Sequence, residues 1–245
     1  MNTPAMRLVT VAHGTRLPSG NQVARDLTAA AGALLGRPAT AAYVELCAPS
    51  LDDVLASSDE PTVVVPLLLS TGHHVRHDLP ASVTQALGPV VLGPALGPHR
   101  LLAEAQVDRL LRAGAVPGQP VVLVAAGSRD PLAARDLGRA GRHLAELWRG
   151  PVTVSTLGGP GTRPGDAVTP GCAVSPYLLA DGHFADRLRE DCSGAGVVAD
   201  VIGPHPAVAR LVVERYRKSM SSMSVSAPSD GGAGSRRGVA SAVPV

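Results

Sequence analysis

Three histidines fall within five residues, in Gly72-His73-His74-Val75-Arg76-His77-Asp78, in a chain that contains only eight. Neutral imidazole is a ligand for first-row divalent metals such as iron, cobalt, nickel and zinc. A further histidine, His13, ends the apolar run Leu8–Ala12 and precedes Gly14-Thr15, where the glycine lets the backbone turn close to a ligand. Both segments follow runs that read as buried strands. In an open parallel sheet, ligands bind beyond the carboxyl ends of strands. His13 and one histidine of the cluster would then converge from adjacent strand ends. Two protein nitrogens leave coordination positions open, which suits a metal held in passing better than a structural ion. The plainer alternatives are a strand-capping histidine at position 13 and a solvated, polar helix start at 73–78. If the cluster is helical, His74 and His77 share a face.

Glu45, in Val44-Glu45-Leu46, closes another apolar run between the two His-bearing segments. It is a candidate to accept a proton or meet a hydrated cation, or else a surface carboxylate at a strand end. Thr15, Arg16, Arg76, Ser128 and Arg129 lie in loops that would follow strands, and are candidates to hold acidic groups of a ligand. Taken singly, each of these arginines reads better as a solvated side chain. Gly158-Gly159-Pro160-Gly161 is interrupted by proline and reads as a flexible loop rather than a dinucleotide site. There is no G-x-S-x-G nucleophile elbow. Cys47, Cys172 and Cys192 form no CxxC and read as small apolar thiols.

The elements that must position these residues alternate. Arg7–Ala12, Thr40–Leu46, Thr62–Leu69 and Val90–Leu92 read as strands. Asn21–Leu35, Pro49–Ala56, His74–Leu87 and Pro98–Ala113 read as helices, with Gly36-Arg37-Pro38 stopping the first. Val121–Ala125, Pro151–Thr156, Ala173–Leu179 and Val197–Val201 read as further strands, with helices at Ala134–Arg149, Asp186–Ala195 and Pro206–Lys218. Near-continuous Val/Leu runs mark strands covered on both faces. Alternating β and α segments predict parallel sheets flanked by helices.

The pattern repeats in its letters. LVTVAHGTR aligns with VLVAAGSRD, and VVVPLLLSTGHH with AVSPYLLADGHF, both at a spacing of about 110 residues. The chain therefore reads as two fused α/β units, at 1–114 and 120–218. Residues 219–245 lose periodicity and read as a disordered Ser/Gly/Ala-rich tail. The composition excludes several functions. With 22 basic and 20 acidic residues, a formal charge of +2 and 2% aromatic residues, the chain has neither the charge nor the stacking surface of a nucleic-acid binder. No apolar run approaches the ~20 residues of a membrane span. The N-terminus lacks the apolar core of a signal peptide, so a soluble, reduced, cytoplasmic protein is expected.

Together, VTVAHGTR, YVELCAPSLDD and VVVPLLLSTGHHVRHDLP resemble the sirohydrochlorin chelatase family (CbiX/SirB type). The resemblance is looser in AAGSRDP, SPYLLADGHFADRL and GPHPAVARLVVERY. It implies a chelatase-like α/β fold, with two similar halves, each a parallel sheet flanked by helices, facing a central cleft. It also implies a lyase-class metal chelatase that inserts a divalent metal into sirohydrochlorin, an acidic tetrapyrrole. Ferrous iron, giving sirohaem, is favoured. Cobalt, for cobalamin synthesis, is the runner-up, and nickel shares the same ligand chemistry. The metal is a substrate and no organic cofactor is implied. By motif, His13 and His74 are carried over as metal ligands and catalytic residues, and Glu45 as their carboxylate partner. In the second half Ala126 stands at the His13 position and Phe184 at that of His74, so one active site is expected, in a monomer or homodimer. The rival reading is a non-catalytic metal or tetrapyrrole carrier using the same histidines.

Overall fold

Strands apolar along their whole length need cover on both faces, and in the computed structural model, which describes residues 6–225, they have it. β1 (Arg7–Ala12), β2 (Ala39–Tyr43), β3 (Thr62–Pro66) and β4 (Val90–Leu92) form one sheet in the order β2-β1-β3-β4. β5 (Val121–Ala125), β6 (Val152–Thr156), β7 (Ala173–Tyr177) and β8 (Val197–Val198) form a second in the order β6-β5-β7-β8. Every pairing is parallel. The two sheets share one topology, so the internal repeat of the sequence is a repeat of structure.

The first half carries α1 (Pro18–Leu35), α2 (Leu51–Ala56), a π-helical turn at His74–Asp78, α3 (Leu79–Thr84) and α4 (Arg100–Arg112). The second carries α5 (Pro131–Trp148), α6 (Pro164–Ala167), α7 (His183–Asp191) and α8 (Pro206–Val225). Helix ends follow local chemistry. Gly36 takes the left-handed conformation (φ 67°) that closes α1, which only glycine adopts freely. Ser50 and Asp53 form a reciprocal capping box on α2. Asp130 accepts the Leu132 N–H at the start of α5, so that helix begins three residues before the expected Ala134.

Four strands are shorter than expected: in the second half β7 stops at Tyr177 and β8 at Val198 rather than at Leu179 and Val201. β2 stops at Tyr43 and β3 at Pro66 rather than at Leu46 and Leu69. Their neighbour β1 ends at Ala12, and Leu67 donates its N–H to Val11 O as the pairing finishes. Leu67, Leu68 and Leu69 then line a cavity instead of extending the sheet. The short α6, in the proline- and glycine-rich stretch after β6, has no periodic apolar signal in the sequence.

The last helix of each half packs on the other half. Gln106 of α4 donates from Nε2 to the buried Ser175 Oγ of β7 (2.8 Å), and Arg109 Nε donates to Ile202 O (3.1 Å). In return, Tyr216 of α8 donates its hydroxyl to Met6 O (2.6 Å) and accepts from Arg37 Nη1 (2.8 Å). Leu8, Val63, Leu110, Leu123, Leu144 and Val212 belong to one buried cluster. The expected boundary between 114 and 120 therefore separates two sheets but cuts through one core. The disordered tail expected from 219 needs correction at its start, because α8 continues to Val225. Ser219 is buried and Met220 packs on the core, extending the stripe of Val212 and Tyr216. Residues 226–245, the rest of that segment, lie outside the described residues. Among the described residues no helix is long and apolar enough to cross a membrane.

Residues 1–114 expressed alone leave the core face of α4 and the α8-covered face of the first sheet bare. We expect no cooperative thermal transition by circular dichroism from that fragment, against a sharp one from the whole chain. Tyr216→Phe removes one hydroxyl, but Met6 O keeps Arg37 as a donor (2.9 Å). The expected loss is about 1 kcal/mol of unfolding free energy in a urea titration.

Candidate functional site

The carboxyl ends of the central strands β1 and β3 lie side by side, and the chain leaves each into a loop that carries a histidine. After β1, Val44 N–H donates to Ala12 O and Glu45 N–H to His13 O (2.9 and 3.1 Å). These backbone bonds tie the loop bearing His13 to the loop bearing Glu45. Gly14 sits at φ 93°, and a Cβ there would lie 1.9 Å from Glu45 O, so the close approach requires glycine. Leu46 adopts φ 64°, a left-handed conformation that is costly for a branched side chain and is found where the surroundings enforce it. It turns the chain sharply just after Glu45.

His13 Nε2 lies 3.2 Å from Glu45 Oε1. The His13 and His74 rings meet nearly edge to face, with centroids 4.7 Å apart and planes at 87°. His74 is fixed from behind, since its Nδ1 pairs with Asp78 Oδ2 (2.5 Å). The wide turn makes this possible. Leu79 N–H reaches back five residues to His74 O, which brings Asp78 beneath the ring. A carboxylate on one ring nitrogen fixes the tautomer and leaves the other nitrogen for a metal. His13 Nδ1 lies 3.3 Å from Gly14 O, which leaves Nε2 as the nitrogen that faces Glu45. One donor atom each from His13, Glu45 and His74 lies within 4.8 Å of the others. Metal–ligand bonds of about 2.0–2.2 Å need only a modest contraction of this set. The set fits a divalent ion with two nitrogens, one oxygen and free coordination positions.

His13 and His74 line a cavity of about 540 Å³ between the two sheets, and Glu45 stands beside it against His13. Leu67–Leu69, Leu137, Tyr177 and Leu178 form an apolar floor, and loop backbone with short polar side chains forms its rim. The second half faces this cavity with a stripped copy of the site. Gly158 N–H donates to Ala126 O (2.9 Å) as Glu45 N–H does to His13 O, and a Cβ on Gly127 would meet Gly158 O at 2.0 Å. Ala126, Gly158 and Phe184 thus stand where His13, Glu45 and His74 stand in the first half. Phe184 lines the cavity and is 45% exposed, and across from it Leu46 is 51% exposed.

The other expected residues divide. Of the histidine cluster, His74 joins His13 and Glu45, whereas His73 is largely exposed at the cavity's edge and its ring lies on His77 (4.7 Å). The π-helical turn separates His77 from His74, which an ordinary helix would place on one face. Thr15 lines the cavity, with its Oγ1 accepting from Leu17 N–H. Ser128 lines it too, its Oγ accepting from Asp130 N–H. Arg16 and Arg129 are exposed and stand outside the cavity wall. Arg76 also stands outside it and binds Asp130 of the other half (3.1 Å). The Leu132 N–H and then the Arg76 guanidinium hold the Asp130 carboxyl below its usual value. Arg76 thus clasps the two halves together.

Two residues were not singled out in the sequence. Asp78, four positions after His74, had a visible spacing once a helical turn was granted. Asp136 had none. It is buried on α5 of the second half and accepts the Thr71 N–H (2.8 Å), pinning the loop that leads into His74. Beside it Tyr177 donates to Leu69 O (3.0 Å), and burial with the nearby Asp136 charge raises the Tyr177 phenol far above its usual value. The second half therefore holds the loop of the first that leads into His74.

Residues 7–113 match the family model described as CbiX. A curated sirohydrochlorin ferrochelatase of Priestia megaterium is 24% identical over 242 residues, covering 86% of this chain and 90% of the relative. Among solved structures, SirB from Bacillus subtilis with Fe3+ matches with a TM-score of 0.75 and 22% identity, covering 90% of this chain and 98% of that one. The structure of CbiX, described as the terminal enzyme of siroheme biosynthesis in denitrifying bacteria, matches with a TM-score of 0.65 and 18% identity, covering 87% and 99%. The fold is that of these chelatases, and the resemblance carried by the three ordered segments holds.

Removing the group behind His74 tests the assembly. In Asp78→Ala, cobalt(II) binding followed by isothermal titration should weaken about 10- to 100-fold, while Asp78→Asn, which keeps an acceptor, should lose less. Equal affinity in all three proteins would show that Asp78 does not orient His74.

Proposed function

We propose, from an N-terminal half whose residues 7–113 match the CbiX family model, that this chain inserts a divalent metal into sirohydrochlorin. The observation that carries the proposal is the convergence of His13, Glu45 and His74 beside a cavity that the two histidines line and whose floor is apolar. Insertion joins the metal to four ring nitrogens and releases two protons. His13 and His74 hold the ion through Nε2, each with Nδ1 engaged elsewhere. Two neutral nitrogens and one carboxylate make an incomplete shell, which leaves coordination positions through which the ion can be handed on. Glu45 accepts one proton. An imidazole accepts the other once the metal has left it. His13 is the better placed of the two, because its freed Nε2 lies beside Glu45.

The second half supplies the opposing wall. A flat macrocycle has two apolar faces and an acidic edge. Leu67–Leu69, Tyr177 and Leu178 suit the face, and Leu46 and Phe184 suit its two sides. Thr15 and Ser128 at the rim are the side chains best placed to hydrogen-bond a peripheral carboxylate. Both halves of the cleft come from one chain, so a monomer suffices. Ligand type does not separate ferrous iron from cobalt. The curated relatives named for iron support ferrous iron as the physiological metal, with cobalt second.

The test is an anaerobic absorbance assay with sirohydrochlorin and ferrous, cobaltous or nickel ions in separate reactions. Enzyme-dependent conversion is expected, lost roughly 100-fold or more in His13→Ala and His74→Ala with cooperative unfolding retained. Tight tetrapyrrole binding without conversion for any metal would instead identify a carrier. Phe184→Ala should raise KM about 3- to 10-fold with kcat little changed, the size expected for losing one ring-stacking contact.

A further inference from the structure

A second cavity, of about 460 Å³, opens elsewhere on the seam between the halves. Thr71 and the 94–98 stretch form one wall, α5 another, and Arg215 of α8 the third. Thr71 lies between Ser70 and Gly72, which line the metal-site cavity, so the two spaces back onto one loop.

The chemistry of this second space is cationic and unfinished. Arg139 and Arg142 sit one turn apart on α5, and among the described residues neither meets a carboxylate or a hydrogen-bond acceptor. Arg215 donates from Nη2 to Leu96 O (2.9 Å), but its Nε is buried with no partner. His143 Nδ1 is also buried with no hydrogen-bond partner, since Glu146 Oε2 stands 3.9 Å away. The carboxylate most deeply placed here, Asp136, already accepts the Thr71 N–H. Glu146 is largely exposed. Buried donors without acceptors are costly, and native proteins leave few of them unexplained. Guanidinium groups present flat pairs of N–H donors that match carboxylate and phosphate oxygens two at a time.

We infer that this cavity binds a small multivalent anion bearing carboxylate or phosphate groups, held by Arg139, Arg142 and Arg215. The site is built by side chains that take no part in the metal cluster, so the inference stands or falls apart from the chelatase reading. The oxygens of the anion would fill the free positions of the two α5 guanidiniums and reach the unpaired Arg215 Nε.

Isothermal titration of the full, metal-free chain with pyrophosphate and, separately, with tricarballylate tests it. Saturable binding near one per chain is expected with at least one of the two. The one that binds assigns the group as phosphate or carboxylate. The double variant Arg139→Ala/Arg142→Ala should weaken that binding about 10-fold or more, with an unchanged circular dichroism spectrum because both side chains are exposed. His13→Ala should bind as the parent does. No saturable binding with either anion would overturn the inference. So would binding that survives the double variant, or binding that is lost in His13→Ala.

Discussion

The site depends on the parallel pairing of β1 with both of its neighbours. Val9 stands opposite Thr40 on one side and Val64 on the other, and all three strands finish at the same edge. Strand side chains alternate, so a slip of one residue would exchange buried for exposed faces. The fully buried β3 makes such a slip prohibitive. With the register held, the residue after β1 and the second residue after β2 are brought together by backbone bonds alone. Apolar packing beneath the site thus determines the distance between polar groups above it.

What was legible in the chain reflects how local each signal is. The strands β1 and β5 have the bounds their Val/Leu runs imply, because burial on both faces leaves a continuous mark. His13 and His74 were legible as candidates because glycine and strand ends flank them. Asp136 was not, since its partner is a backbone N–H 65 residues away and nothing near it in sequence marks the contact. The arginines show the converse. Arg16, Arg76 and Arg129 were chosen for position in loops, yet loop position does not say which way a long side chain turns. Arg76 turns to Asp130, and the others stand outside the cavity.

The duplicated half shows what the chemistry needs and what the architecture needs. Gly127 keeps the left-handed backbone and tight approach of Gly14, and Gly158 keeps the backbone bond of Glu45. The scaffold of the site therefore persists without the side chains that would use it. In their place the second half supplies a smooth apolar wall and the two groups, Asp136 and Tyr177, that steady the opposite loop. One half carries His13, Glu45 and His74, and the other pins the loop that leads into His74.

The crossing of α4 and α8 limits how this molecule can move. Two lobes joined by a simple linker can swing apart like jaws. Here each lobe is roofed by a helix belonging to its neighbour, through Gln106–Ser175 on one side and Tyr216–Met6 on the other. Widening the gap would drag both helices from the interior they help to fill. The separation of the two sheets is thus rigid, and a guest must enter by displacing only what stands at the mouth: the half-exposed Leu46 and Phe184 and the short loop between β3 and the π-helical turn. Admission is governed by the doorway, while the room keeps its dimensions.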